Sequence, residues 1–230
     1  MSTLLMRLAA PLQSWGLEDK FERRGTSREP TKSGVLGLLA SALGISRDNT
    51  AALNNLCALR FGVRIDQPGQ LMRDFHTARV LGEKNSYISN RYYLCDAVFI
   101  AGVESEDENL LRSLDQALKN PVFPLFLGRR SCPPEGELSL GLKDAPLETA
   151  LRSEAWRAGE AYKRREKKAT LTLVLDAEEP GILRRRDIPL SFSQAHRKHT
   201  FRYVDDIPNT VPVDAEAISG NTRHDPFINL

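Results

Sequence analysis

The stretch from Arg24 to Ile45, RGTSREPTKSGVLGLLASALGI, constrains the chain most, because it joins a polar loop to an apolar helix without a break. Val35, Leu38, Leu39 and Ala42 recur at helical spacing and define one face that must be buried against another layer. Thr31 or Ser33 is placed to cap that helix, and Gly44 to end it. The loop before it is basic, and a helix N-terminus has unpaired backbone N–H groups, so the junction is a candidate phosphate cradle. It is not a nucleotide-hydrolysing loop. Pro30 stands where the second glycine of a GxxxxGK[ST] motif belongs, and Lys32 is one place late.

Around that stretch the sequence predicts strand, helix, strand, arm, strand, helix. Leu4–Ala10 reads as a strand stopped by Pro11, with a turn at Gln13–Gly16. Asp48 or Thr50 is placed to cap a second helix, with Leu53, Leu56 and Cys57 inward. In Arg60–Asp66 the alternation of Phe61, Val63 and Ile65 with Gly62, Arg64 and Asp66 predicts a half-buried strand. Ala97–Val103 is a strand, and a capping box from Ser105 to Glu108 precedes a helix bearing Leu110, Leu111, Leu114 and Leu118. The order suits a split β-α-β arrangement, an antiparallel sheet with helices on one face.

Between these strands, Leu71–Asp96 predicts a protruding hairpin. Its arms interleave Arg73, His76, Arg79, Tyr87, Arg91, Tyr92 and Tyr93 around the polar Gly82–Ser86, a pattern suited to gripping a partner or a single strand. In PVFPLFLGRRSCPP, residues 121–134, the apolar side chains Phe123, Leu125, Phe126 and Leu127 should enter the core. Gly128 then lets Arg129, Arg130 and Ser131 project toward phosphate or base. Gly136–Ala155 reads as loop and Trp156–Lys168 as a charged helical or disordered stretch. Ala169–Asp176, Asp187–Phe192 and Phe201–Ile207 read as strands, followed by a polar tail.

The net charge is only +2, but it is unevenly distributed. There are five basic and two acidic residues from Lys20 to Lys32, seven and three from Arg152 to Lys168, and six and one from Arg184 to Arg202. Such segments can build one positive face. Cys57, Cys95 and Cys132 are odd in number and widely spaced, which suits reduced thiols in a cytoplasm. No apolar run is long enough to span a membrane, and the N-terminus reads as a first strand rather than a signal peptide. His196 and His199 lack further ligands at metal spacing and sit among basic residues, so no metal or other cofactor is expected. A metal-free ribonuclease remains an alternative, with His76, Tyr92 and Lys84, or His196 or His199, supplying acid–base and charge-stabilising groups.

LMRLAAPLQSWG, PTKSGVLGLLASALGI, RDFHTA, RYYLCDA and LGRRSCPP occur in order between Leu4 and Pro134. Together they resemble the CasD-type subunits of type I-E CRISPR Cascade complexes, members of the RAMP superfamily. The resemblance implies an α+β fold with a ferredoxin-like, RNA-recognition-type antiparallel sheet. It places a ferredoxin-like RAMP domain at 1–122, with a hairpin thumb at about 71–95, and a smaller β-rich region with a basic loop and polar tail at 123–230. It also implies a non-catalytic subunit that holds the 5′ handle of crRNA and caps the backbone filament. The partners would be backbone Cascade subunits and the large PAM-recognising subunit, with target DNA reached indirectly and no membrane. On this reading the RNA-binding candidates are Gln13, Trp15, Arg24, Arg28, Thr31, Lys32, Ser33, His76, Arg91, Tyr92, Arg129, Arg130 and Ser131. A third reading is a purely protein-binding scaffold.

Overall fold

The computed structural model describes residues 1–16, 23–79, 82, 86–166, 170–177, 179–192 and 198–210. In chain order the elements begin β1 (Ser2–Ala9), β2 (Leu12–Gln13), β3 (Arg23–Arg24), α1 (Lys32–Ala42), α2 (Thr50–Cys57) and β4 (Arg60–Gln67). Next come β5 (Gln70–Arg79), β6 (Ser86–Cys95), β7 (Val98–Ser105), α3 (Glu108–Lys119), β8 (Ser139–Lys143) and α4 (Leu147–Ser153). The last are α5 (Glu160–Arg165), β9 (Thr170–Asp176), β10 (Arg184–Ser191) and β11 (Lys198–Thr210).

Seven strands form one sheet in the order β10-β11-β9-β4-β7-β1-β8, every adjacent pair antiparallel. Its β4-β7-β1-β8 portion, linked through α1 and α3, has the strand order of a split β-α-β unit, in keeping with the α+β, ferredoxin-like expectation. Leu4, Met6 and Leu8 of β1, with Phe61 and Phe99, meet Val35, Leu36 and Leu39 of α1 and Leu111 and Leu114 of α3.

The other face is also covered, which corrects the expectation of helices on one side. Leu147, Ala150 and Leu151 of α4 pack on Leu5, Ile100, Leu173 and Leu175. Neither β8 nor α4, read from sequence as loop, is long enough to show a period. Because α4 lies there, β4 is buried on both faces, and Arg64 and Asp66 are sealed at 0% and 1% exposure rather than outward. At Gly62 any side chain would collide, since an added Cβ would lie 2.5 Å from a methyl of Leu175.

Arg64 is satisfied by this layer. It grips Asp66 with Nε at 2.7 Å and Nη2 at 2.9 Å, and it donates to the carbonyls of Leu151, Glu154 and Ala155. Those carbonyls, at and just beyond the end of α4, include acceptors that a helix end leaves unpaired.

Three local details differ from the sequence reading. Asn49, rather than Asp48 or Thr50, caps α2 by accepting the Ala52 N–H, and Asp107, rather than Ser105, caps α3 by accepting the Leu110 N–H. In the loop after α3 only Leu127 is fully buried among the four expected apolar residues. The Val122 N–H bonds Ala42 O, and Phe123 stays 51% exposed. Thr31 caps α1 as expected, and Gly44 follows that helix with a φ of +73°.

The second sheet is the arm and its root. β5 and β6 pair from Gln70↔Cys95 to Arg79↔Ser86. The other edge of β6 takes β2, antiparallel at Leu94 and Cys95, and β3, parallel at Asn90 and Arg91. Residues before α1 thus run along the arm as short splints. No described helix is long and apolar enough to cross a membrane.

Candidate nucleic-acid interface

The structure sorts the expected binding residues into two groups. At the entrance to α1, Thr31, Lys32 and Ser33 are buried. The Lys32 N–H donates to Asp187 Oδ2 at 2.8 Å, and Lys32 Nζ donates to Asp176 Oδ2 at 2.8 Å. Arg202 joins both acids, with Nε 2.7 Å from Asp187 and Nη1 2.7 Å from Asp176. Burial alone would lower the Arg202 pKa, but Asp187 and Asp176 outweigh it and raise the value. Two cations meet two anions, so the carboxylate of Asp187 occupies the position at this helix end that suits a phosphate. Gln13 and Trp15 belong to the same scaffold. Gln13 is fully buried, donating to Leu8 O and Ala97 O and accepting from Trp15 Nε1. Trp15, 1% exposed, packs against Gly34.

The second group gathers at the arm root. β3 sets Arg24 beside Arg91. Neighbouring residues on a strand point to opposite faces, so Tyr92 and Tyr93 present their rings in different directions. Each ring carries an arginine: Arg23 lies 5.1 Å from the Tyr92 centroid, and Arg129 lies 4.6 Å from that of Tyr93. Arg129 Nη2 also donates to the carbonyls of Arg24 and Gly25 at 2.9 and 3.3 Å. It therefore ties the loop to the root rather than projecting, while Arg130 and Ser131 beside it are exposed.

Gly128 makes this approach possible. Its φ is +90°, and a Cβ there would fall 1.6 Å from Ser14 O. Among the described residues no carboxylate pairs with Arg23, Arg24, Arg91 or Arg129. Arg91 Nε and Arg129 Nη1 are buried with no hydrogen-bond acceptor among the described residues.

Further out, His76 Nε2 lies 2.7 Å from Asp74 Oδ2 and both side chains remain accessible. The other face of the arm carries Leu71, Arg73, Phe75, Ile88 and Tyr92, of which Phe75 is 67% and Ile88 59% exposed. Arg28 is exposed in the loop before α1. Lys84 and His196 lie outside the described residues, and His199 stands in β11, in the large sheet. The expected list lacked Arg23 and Tyr93. Alternation along Arg91–Tyr92–Tyr93, which needs one cation on each side of the strand, is the signal that could have found them.

A family model described as CRISPR-associated protein (Cas_Cas5) matches residues 3–205. The chain belongs to this family. It is 38% identical over 160 residues to the CRISPR system Cascade subunit CasD of Escherichia coli (strain K12), covering 61% of this chain and 70% of that protein. Among solved structures, one described as a Cas protein is 40% identical with a TM-score of 0.70, over 94% of this chain and 97% of that one. Another, described as a CRISPR RNA-guided surveillance complex, is 29% identical with a TM-score of 0.75, over 96% and 95%. The resemblance to CasD-type subunits seen in the sequence is borne out, and the Cas5 match extends it well past Pro134.

Proposed function

We propose that this Cas5-family chain is the RNA-binding subunit of a type I-E Cascade surveillance complex. It holds the 5′ handle of crRNA and caps the backbone filament in the cytoplasm, in antiviral defence. Its partners are the backbone subunits and the large PAM-recognising subunit, and it meets target DNA through the assembled complex. The observation that carries the reading is the arginine cluster at the arm root, which among the described residues is unpaired with carboxylates and holds two guanidinium nitrogens without acceptors. Phosphate oxygens supply acceptors of the required kind, and the stacked rings suit unpaired bases.

Arg23, Arg24, Arg91 and Arg130 take handle phosphates, with Arg28 and Ser131 at the margins. Tyr92 and His76 take bases. Arg129 positions the loop, and Gln13, Trp15, Thr31, Lys32 and Ser33 hold the scaffold beneath it. Similarity to CasD supports a non-catalytic role. The endoribonuclease alternative has the His76–Asp74 pair as its geometric support.

Fluorescence anisotropy with a handle-bearing RNA tests the reading. Each phosphate contact adds about 0.7 to the slope of log affinity against log salt, so Arg23→Ala with Arg24→Ala should flatten it by about 1.4. An unchanged slope removes the root from the site. Incubation with repeat RNA in EDTA tests the alternative, which requires site-specific cleavage that His76→Ala abolishes.

A further inference from the structure

The face of the large sheet that α4 covers is not covered along its full width. Ile207 of β11 packs at the margin of the α4 cluster. Alternate residues of β11 lie on that same face, and about 20 Å along the strand it becomes bare. There Phe201 is 55% and Tyr203 37% exposed, while Arg202 and Val204, facing the other way, are buried. One side of the strand is sealed and the other is left open among the described residues.

Strand β10 brings cations to this open side. Arg184 stands opposite Tyr203 in register. The guanidiniums of Arg184 and Arg186 lie 5.6 and 5.9 Å from the centroid of Phe201. Two residues before the strand, Ile182 is 98% exposed.

Two observations select an occupant. A purely apolar protein contact has no use for two guanidiniums held over the ring it would bury. A simple polyanion has no use for adjacent exposed rings. A single strand uses both, with phosphates on the arginines and bases against the aromatic faces. We propose that this β10–β11 face is a second binding site for single-stranded nucleic acid, separate from the arm root.

The test uses the full chain with Arg23→Ala and Arg91→Ala in place, so that binding at the arm root is weakened. Oligouridine and oligothymidine probes carrying a photoreactive thio-substituted base are titrated and cross-linked, and the labelled peptides are identified. The expected labels fall on the peptides of β10 and β11, and the stronger probe tells RNA from DNA. Phe201→Leu keeps the apolar bulk and removes the ring. It should weaken binding at least about fivefold, the low end of base–aromatic stacking. Arg184→Ala should lower the salt slope by about 0.7.

These positions are on the surface, and an unchanged thermal melt shows that the variants fold. Labelling confined to the arm, with affinity unchanged in both variants, overturns the proposal. So does retained affinity together with loss of partner subunits, which would make the face a protein-docking surface. If Arg23→Ala and Arg91→Ala leave handle binding intact while Phe201→Leu reduces it, the arm-root reading fails and this one stands.

Discussion

Two basic clusters in this chain are built from similar side chains and have opposite characters. At the entrance to α1, Lys32 and Arg202 are buried against Asp176 and Asp187, with every charge answered. At the arm root, Arg23 lies over a ring and Arg129 over a ring and against two carbonyls, beside Arg24 and Arg91. The acids make the difference. Asp176 and Asp187 lie 144 and 155 residues beyond Lys32 and reach it through the pairing of β9, β10 and β11. A cation with a buried carboxylate partner is scaffold, and one held by an aromatic face keeps its charge available for a ligand.

The sharpest way to break the contrast is Arg202→Ala. It strips the buried Asp187 of its guanidinium and leaves the half-buried Asp176 with Lys32, and urea unfolding should register a loss of about 3–5 kcal/mol. A loss below about 1 kcal/mol would mean that the cluster is not a closed charge balance.

Glu154 extends the test to a second compensated group, since Arg157 and Lys143 both bind it. Burial acts to raise its pKa, but the hydrogen bonds from Arg157 and Lys143 together outweigh that and hold it below the ordinary value. Its stabilisation is therefore present above the unfolded pKa and lost as pH falls through the folded one. Glu154→Gln should cost about 1–3 kcal/mol at neutral pH. The gap from the parent chain should narrow on acidification below the ordinary glutamate range and close as the carboxyl protonates in the folded chain. A gap independent of pH would refute the charge assignment.

At the root the expected effect moves from stability to binding. Arg24→Ala with Arg91→Ala should weaken handle RNA about tenfold, equivalent to about 1.4 kcal/mol. The unfolding midpoint should scarcely move, and an affinity unaltered within error would erase the distinction between the clusters.

The smallest effect is expected from Thr31→Ala. It removes the α1 cap at a cost of about 1 kcal/mol and should leave the salt dependence of RNA binding as it was. A changed salt slope would return the helix entrance to the binding surface.

Local signals in the sequence carried far. The stripe from Val35 to Ala42, the arm from Leu71 to Asp96 and the strand at Ala169–Asp176 each show a period or a boundary that needs no partner to interpret. What was hidden depends on distant chain. Arg64 and Asp66 read as solvent-facing because the helix that covers them is seven residues long and follows a five-residue strand. Lys32 read as a phosphate ligand because a lysine beside a helix N-terminus has the same letters with or without a carboxylate arriving later. At the root the residue types were legible as basic and aromatic, but the pairing of Arg23 with Tyr92 and Arg129 with Tyr93 needed the splinting of β3 on β6 and the close pass of Gly128.

The separation between Lys32 and its two acids also sets an order in time. As the chain leaves the ribosome N-terminus first, the arm and both of its splints are complete by Cys95. Lys32 must wait until Asp187 has emerged, and Arg202, which ties the acids together, follows fifteen residues later. Until then Lys32 lacks its carboxylates and cannot sink into its buried position. Pairing of β9 and β10 with the sheet withdraws this cation, and β11 closes the cluster with Arg202, so the entrance to α1 takes its final charge only when the sheet is complete.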